Sequence, residues 1–222
     1  MSNRVIRVTG KGQIMTHPDM TRITITLQGV MPEYDATLEA SADDTESLKS
    51  IMERMGFTRT DLKTLSFNVD TEHESYRDKN DNWKSRFVGY RYRHTLKVEF
   101  PSDNKRLGKI LYALANDNTI HPEFRFSFFV KDVEAAKNEL LGKAVIDAKA
   151  KAEILASAAG VKLSDILSID YSWGVVDLEV KTMGLDIEEA ECCVNESMAY
   201  DIDIEPDDIE MNDTVTVVWG IA

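Results

Sequence analysis

Four histidines and one pair of adjacent cysteines are the side chains of this 222-residue sequence best suited to acid–base, nucleophilic or metal chemistry. The histidines, His17, His73, His94 and His121, fall on separate segments. His94 shares an apolar strand face with Tyr90, Tyr92 and Leu96, and reads as a core histidine whose hydrogen bonds are met. His17 precedes Pro18-Asp19 and reads as a turn residue rather than an acid–base group. Cys192-Cys193 stands beside Glu188, Glu189 and Glu191 and has the chemistry to attract a soft metal. Zinc sites, however, space their cysteines by about two to four residues, and no second ligand pair is present. The acidic run around the cysteines lacks the Asp-x-Asp-x-Asp-Gly order of a calcium loop. Gly10-Lys11-Gly12 lacks the third glycine and the following helix of a dinucleotide loop, and reads as a tight turn. There is no P-loop, no Gly-x-Ser-x-Gly elbow and no His-Glu-x-x-His. We therefore expect no catalytic residue, no resident metal, no cofactor and no enzymatic activity.

Charge is unevenly placed. Residues 177–213 hold fourteen acids and one base, Lys181, a net of −13 that equals the formal charge of the whole chain. Residues 77–109 hold ten bases and four acids. Two readings stand: separate solvated surfaces, or an acidic and a basic segment that lie close, within or between subunits. The overall negative charge disfavours nucleic acid. No run of about 18 apolar residues exists to span a membrane. The opening residues enter a strand pattern without an apolar leader, and adjacent cysteines staple no distant segments, so a reducing cytosol is the expected compartment.

The elements that carry these groups repeat. Gly56-Phe57-Thr58-Arg59-Thr60-Asp61-Leu62 returns 104 residues later as Gly160-Val161-Lys162-Leu163-Ser164-Asp165-Ile166. Each copy follows a helical period and opens a strand. Residues 4–9 read as a short strand. Alternation marks strands at 20–30, 62–73, 88–100, 123–130, 166–175 and 214–221. Helical stripes run over 35–55, over a shorter segment capped by Ser102, and over 133–159. The stripe of 133–159 is Ala136, Leu140, Ala144, Ala148, Ala152, Leu155 and Ala159, with Gly142 read as a tight contact. The fold class is α+β: mixed or antiparallel sheets packed by two long helices and one shorter one. It is read as one domain over 1–222 with an internal pseudo-repeat, approximately 20–100 and 123–221, each half strand, helix, strand, strand.

Between the strands at 62–73 and 88–100, a projecting hairpin tip over 74–87 carries Tyr76, Trp83 and Phe87 among polar residues. Aromatics at a tip either pack back on their own sheet or meet another subunit.

Several of these segments resemble the SIMPL domain family, named for a signalling molecule that associates with a mouse pelle-like kinase and including bacterial periplasmic immunogens. The resemblance rests on Val8-Thr9-Gly10-Lys11-Gly12 with Pro18-Asp19, Gly56 with Asp61 and Thr64, and Gly89-Tyr90. It extends to the alanine-rich helix around Ala144, Ala148, Ala152 and Gly160, and to Ile204-Glu205-Pro206 before Val215 and Val217. It implies no catalytic residues, common export to the periplasm, ring-like or channel-like oligomers in some members, and links to stress tolerance and protein association. The leading expectation is a homo-oligomeric, non-enzymatic scaffold. The alternatives are a small-molecule binder or enzyme with a site between the halves, lined by Tyr92, Arg93 or His94, and an adaptor that takes a peptide on a sheet edge.

Overall fold

The computed structural model describes residues 4–117, 119–171, 179–181 and 204–222. The expected α+β class is found. In chain order the described elements are β1 (Val5–Thr16), β2 (Met20–Met31), α1 (Tyr34–Arg54), β3 (Lys63–Arg77), β4 (Trp83–Pro101) and α2 (Asn104–Ala115). They continue with β5 (Glu123–Phe129), α3 (Val133–Ala158), β6 (Leu163–Tyr171), β7 (Glu179–Lys181) and β8 (Ile209–Ile221). Cys192 and Cys193, and most of the acidic segment, lie outside the described residues.

The chain divides into two compact units. The first comprises residues 1–19, 129–180 and 206–222, and the second residues 20–128 and 181–205. β3, β4, β2, β5 and β7 lie side by side in that order, the first three wholly within the second unit. β4 runs antiparallel to both β2 and β3. Ile23, Ile25 and Leu27 of β2, and Tyr92, Leu96, Val98 and Phe100 of β4, point to one buried face. They meet Leu48, Ile51 and Met52 of α1 and Leu107, Ile110, Leu111 and Leu114 of α2. At its start α1 buries Thr37 and Ser41, while Leu38 is 39% exposed. Thr37 meets the demand of a buried hydroxyl by donating to Glu33 O at 2.8 Å. Asp103, not Ser102, caps α2 by accepting from the Arg106 amide at 3.0 Å; the Ser102 hydroxyl bonds Thr21 instead.

In the first unit, β8 is flanked by β1 and β6, antiparallel to each. This corrects the expected order of the second half. Residues 123–129 form β5 of the other sheet, and the strand beside β8 is β1. A local reading joins neighbours in sequence, whereas this pairing joins Thr9 to Thr216 across 207 residues. β8 also starts earlier than the expected 214, at Ile209. With that exchange, both units carry the same spatial order. β3, β4 and β2 with helix α1 correspond to β6, β8 and β1 with helix α3.

Gly10 and Gly12 are not a turn. Both lie in the middle of β1, on its buried face between Val8 and Ile14, under α3. A Cβ on Gly10 would stand 2.1 Å from Ala144 O, and one on Gly12 2.1 Å from Leu140 O. The missing side chains and the alanine stripe of α3 together let helix backbone rest on strand backbone. Ala136, Leu140, Ala144, Ala148 and Ala152 are buried as expected; Leu155 is 50% exposed and Ala156 takes its place. Gly142 is a further correction: nothing comes within 4 Å of its Cβ position, so it makes no tight contact.

Candidate interaction surface

β3 and β4 outrun the helix that covers the sheet. α1 packs chiefly on β2 and β4, and every residue from 81 to 88 is exposed. The strands continue to Arg77 and Trp83, so the turn is shorter than expected and occupies 78–82. Asp78 builds it. Its amide donates to Asn82 O at 2.9 Å, and its carboxylate accepts from the amides of Asn80 and Asn82 at 2.8 and 3.0 Å. Those amides, that of Asn82 first, with Lys84 beside them, lower its pKa below the usual carboxylate range. Asp81 takes the one positive φ of the turn, 61°.

Period-two alternation gives this ribbon two unlike faces. One face is charged. Arg91 binds Glu72 with both Nε and a terminal nitrogen, at 2.8 and 2.6 Å. Arg86 pairs with Glu74 at 2.5 Å and Lys84 with Asp78 at 3.0 Å. Of the ten bases of residues 77–109, Arg77, Lys84, Arg86 and Arg91 are thus matched by acids of the facing strand or turn. The other face is a line of rings. Tyr34, from the first turn of α1, stands edge-on to Tyr90 at 5.4 Å, Tyr90 meets Phe87 at 5.4 Å, and Phe87 meets His73 at 5.6 Å. Nearer the turn, the Arg77 guanidinium lies 4.9 Å from the centre of the Trp83 ring.

The three residues singled out at the tip are thus separated. Trp83 and Phe87 share the ring face, and Tyr76, opposite Lys84, lies on the charged one. Sequence reasoning missed the continuity from Phe87 to Tyr90. Val88 is an extra residue on β4, since Glu72 faces Gly89 while His73 faces Phe87. This bulge shifts the alternation by one, and the rings stay in line. Gly89 was the available signal: a Cβ there would strike Met31 O at 2.2 Å.

Of the groups weighed for chemistry, His73 lies on the ring face, while His94, Tyr92 and His17 sit elsewhere and have hydrogen-bond partners. His94 bonds Thr45 Oγ1 through Nδ1 at 3.0 Å and Thr64 Oγ1 through Nε2 at 2.9 Å. Burial, and then Lys49, hold its pKa below the usual histidine value. Tyr92 is 1% exposed beneath α1 and donates its hydroxyl to Asp44. Burial first, then that carboxylate, raise its pKa. His17 meets Asp208 at 3.1 Å. Among the described residues no three of His, Cys, Asp and Glu are grouped to hold a metal ion. Two adjoining hollows of about 410 Å³ each flank the Arg54–Asp117 pair. One is lined by Lys109, Tyr112 and Asn116, the other by Asp43, Glu46 and Ser47.

Comparison with known proteins then decides the family. Residues 6–219 match the SIMPL model, described as a protein of unknown function (DUF541). The chain belongs to the SIMPL family. Two similar proteins are both called 26 kDa periplasmic immunogenic protein. The one from Brucella melitensis is 28% identical over 180 residues, covering 74% of this chain and 65% of that protein. The one from Brucella abortus is 27% identical with the same coverage. The chain thus spans about 65% of the length of these relatives. No described helix is long and apolar enough to cross a membrane.

Proposed function

We propose that this SIMPL chain is a non-enzymatic assembly protein that associates with itself through the β3–β4 ribbon. The observation that carries the reading is the exposed line of rings on a two-stranded arm. A hairpin without a third strand or a covering helix is marginal in water, and apolar area on such an arm is stabilised when another surface covers it. Trp83 and Phe87 are the interface residues, and Tyr76 contributes from the opposite face. The two units are read as copies of one module, with Gly56 and Gly160 at equivalent helix ends. The names of the relatives favour the periplasm over the cytosol as the compartment. Light scattering on the full chain at micromolar concentration tests the reading. A mass that is a multiple of 25.1 kDa is expected, and a monomer overturns it.

A second reading is a peptide adaptor. β6 is an edge strand whose Ile166, Leu167 and Ile169 are each 51% exposed, which suits addition of an extended partner strand. Protection of the β6 amides from hydrogen exchange by a partner, with the ribbon unaffected, would favour it. The small-molecule reading has less support, because Tyr92 is buried and both ring nitrogens of His94 are engaged.

A further inference from the structure

Resting on the assembly reading above, we propose that the ring face meets the same face of a second copy, ribbon against ribbon about a two-fold axis. The turn of each copy then lies over the start of α1 of the other.

Three observations lead there. The first is where charge is left unmatched. Glu33, Asp35 and Glu39 are exposed at the start of α1 with no cation partner among the described residues, and no base occurs in α1 before Lys49. At the far end of the ribbon, Lys79 is exposed with no carboxylate partner among the described residues. The second is the matching apolar ground. Tyr34 and Leu38, one helical turn apart, are 48% and 39% exposed between those acids, and Trp83 is 67% exposed beside the turn. An acid-flanked apolar pair at one end and a cation-flanked indole at the other are complementary only when two ribbons run in opposite directions. A two-fold axis makes that contact twice. From Trp83 to Tyr90 the strand rises roughly 23 Å, so the two ends are separate contacts rather than one.

The third is area. Tyr34, Phe87 and Trp83 are between 47% and 67% exposed. Aromatic side chains of about 150–250 Å² leave roughly 100 Å² each to cover. With His73, Leu38 and the flanking polar atoms, the face offers several hundred Å², the range of a weak interface below the roughly 800 Å² per partner of a standard one. The opposite face, with its ion pairs already made inside the hairpin, has less to gain.

The test is charge reversal and restoration on the full chain, read as the dimer dissociation constant. Lys79→Glu alone, and Asp35→Lys with Glu39→Lys, should each weaken the dimer about fivefold to tenfold. The three changes together should return it toward the starting value. Trp83→Ser with Phe87→Ser should weaken it further. All these side chains are exposed, and an unchanged far-ultraviolet circular dichroism spectrum shows that folding is intact. If the aromatic replacements dissociate the dimer but the combined charge reversal restores nothing, the two-fold arrangement is wrong. If no replacement changes the mass of an oligomeric chain, association through the ribbon falls together with the two-fold arrangement, and only self-assembly by another surface remains. If the starting chain is a monomer, both fall.

Discussion

Gly56 and Gly160 end α1 and α3 with the same backbone geometry. Their φ angles are 82° and 68°. In each case the next amide reaches back to a carbonyl in the last turn: Phe57 N to Met52 O at 3.1 Å, and Val161 N to Ala156 O at 3.0 Å. Two helix ends far apart in the chain close by one Schellman-type bond pattern. The aspartates that follow diverge. Asp61 accepts from the Thr58 amide at 2.7 Å, whereas the Lys162 amide, at the matching place, donates to Ala222 O.

Because nothing lies within 4 Å of a Cβ on either glycine, alanine there meets strain alone. Gly56→Ala and Gly160→Ala should each cost about 1–2 kcal/mol, by nearly the same amount. Urea unfolding of the two variants checks this, and a large inequality would show that the two ends are not held alike.

Gly10→Ala and Gly142→Ala should move stability in opposite directions. The first places a methyl carbon against helix backbone at 2.1 Å, which cannot turn aside, and should cost about 3 kcal/mol or more. The second fills open space on an exposed helix position and should gain up to about 1 kcal/mol. Thermal melts of the two variants separate a helix seat from a neutral glycine.

Tyr92→Phe removes a buried hydroxyl that donates to Asp44. The ring still fills its site under α1, so the loss is that of a hydrogen bond to a charged group, about 1.5–3 kcal/mol. A drop in urea midpoint with an unchanged slope is the expected result. No change would mean that water serves Asp44 equally well.

His94 sets a pH dependence. Its folded pKa lies below that of the unfolded chain, so folding favours the neutral ring. The stabilisation it contributes is complete above about pH 6.5 and is lost as pH falls through the folded value. Between pH 7.5 and pH 5 the wild-type chain should lose more stability than His94→Gln, measured side by side in urea. An equal loss would show that other groups carry the acid sensitivity.

How much of this was legible depended on range. Ile23, Ile25 and Leu27, or Leu96, Val98 and Phe100, announce their strands because alternation is local and one face is buried. Asp132, whose carboxylate accepts from the Ala135 amide at the start of α3, and the glycine ends of α1 and α3 are equally local. Gly10-Lys11-Gly12 was misread because a missing side chain looks the same whether the chain turns or another backbone passes over it. The β1–β8 pairing was missed because no local period encodes it. On the ribbon, Trp83 and Phe87 were visible as exposed aromatics. Their continuity with Tyr90 and Tyr34 was hidden by the extra residue Val88 and by a helix that joins the face from elsewhere. Thr37 and Ser41 blurred the buried stripe of α1, since small hydroxyl residues bury well only when a partner such as Glu33 O is at hand.

The pairing of β1 with β8 also has a bearing on synthesis. Residues 20–115 leave the ribosome with β2, β3, β4, α1 and α2 all in hand, while β1 must wait for the last strand to emerge before its ladder can close. Until then the bare strand, with Val8 and Ile14 uncovered, is a standing hazard for sticking to nascent neighbours. Trimming the chain anywhere before Ile209 would leave that strand permanently bare.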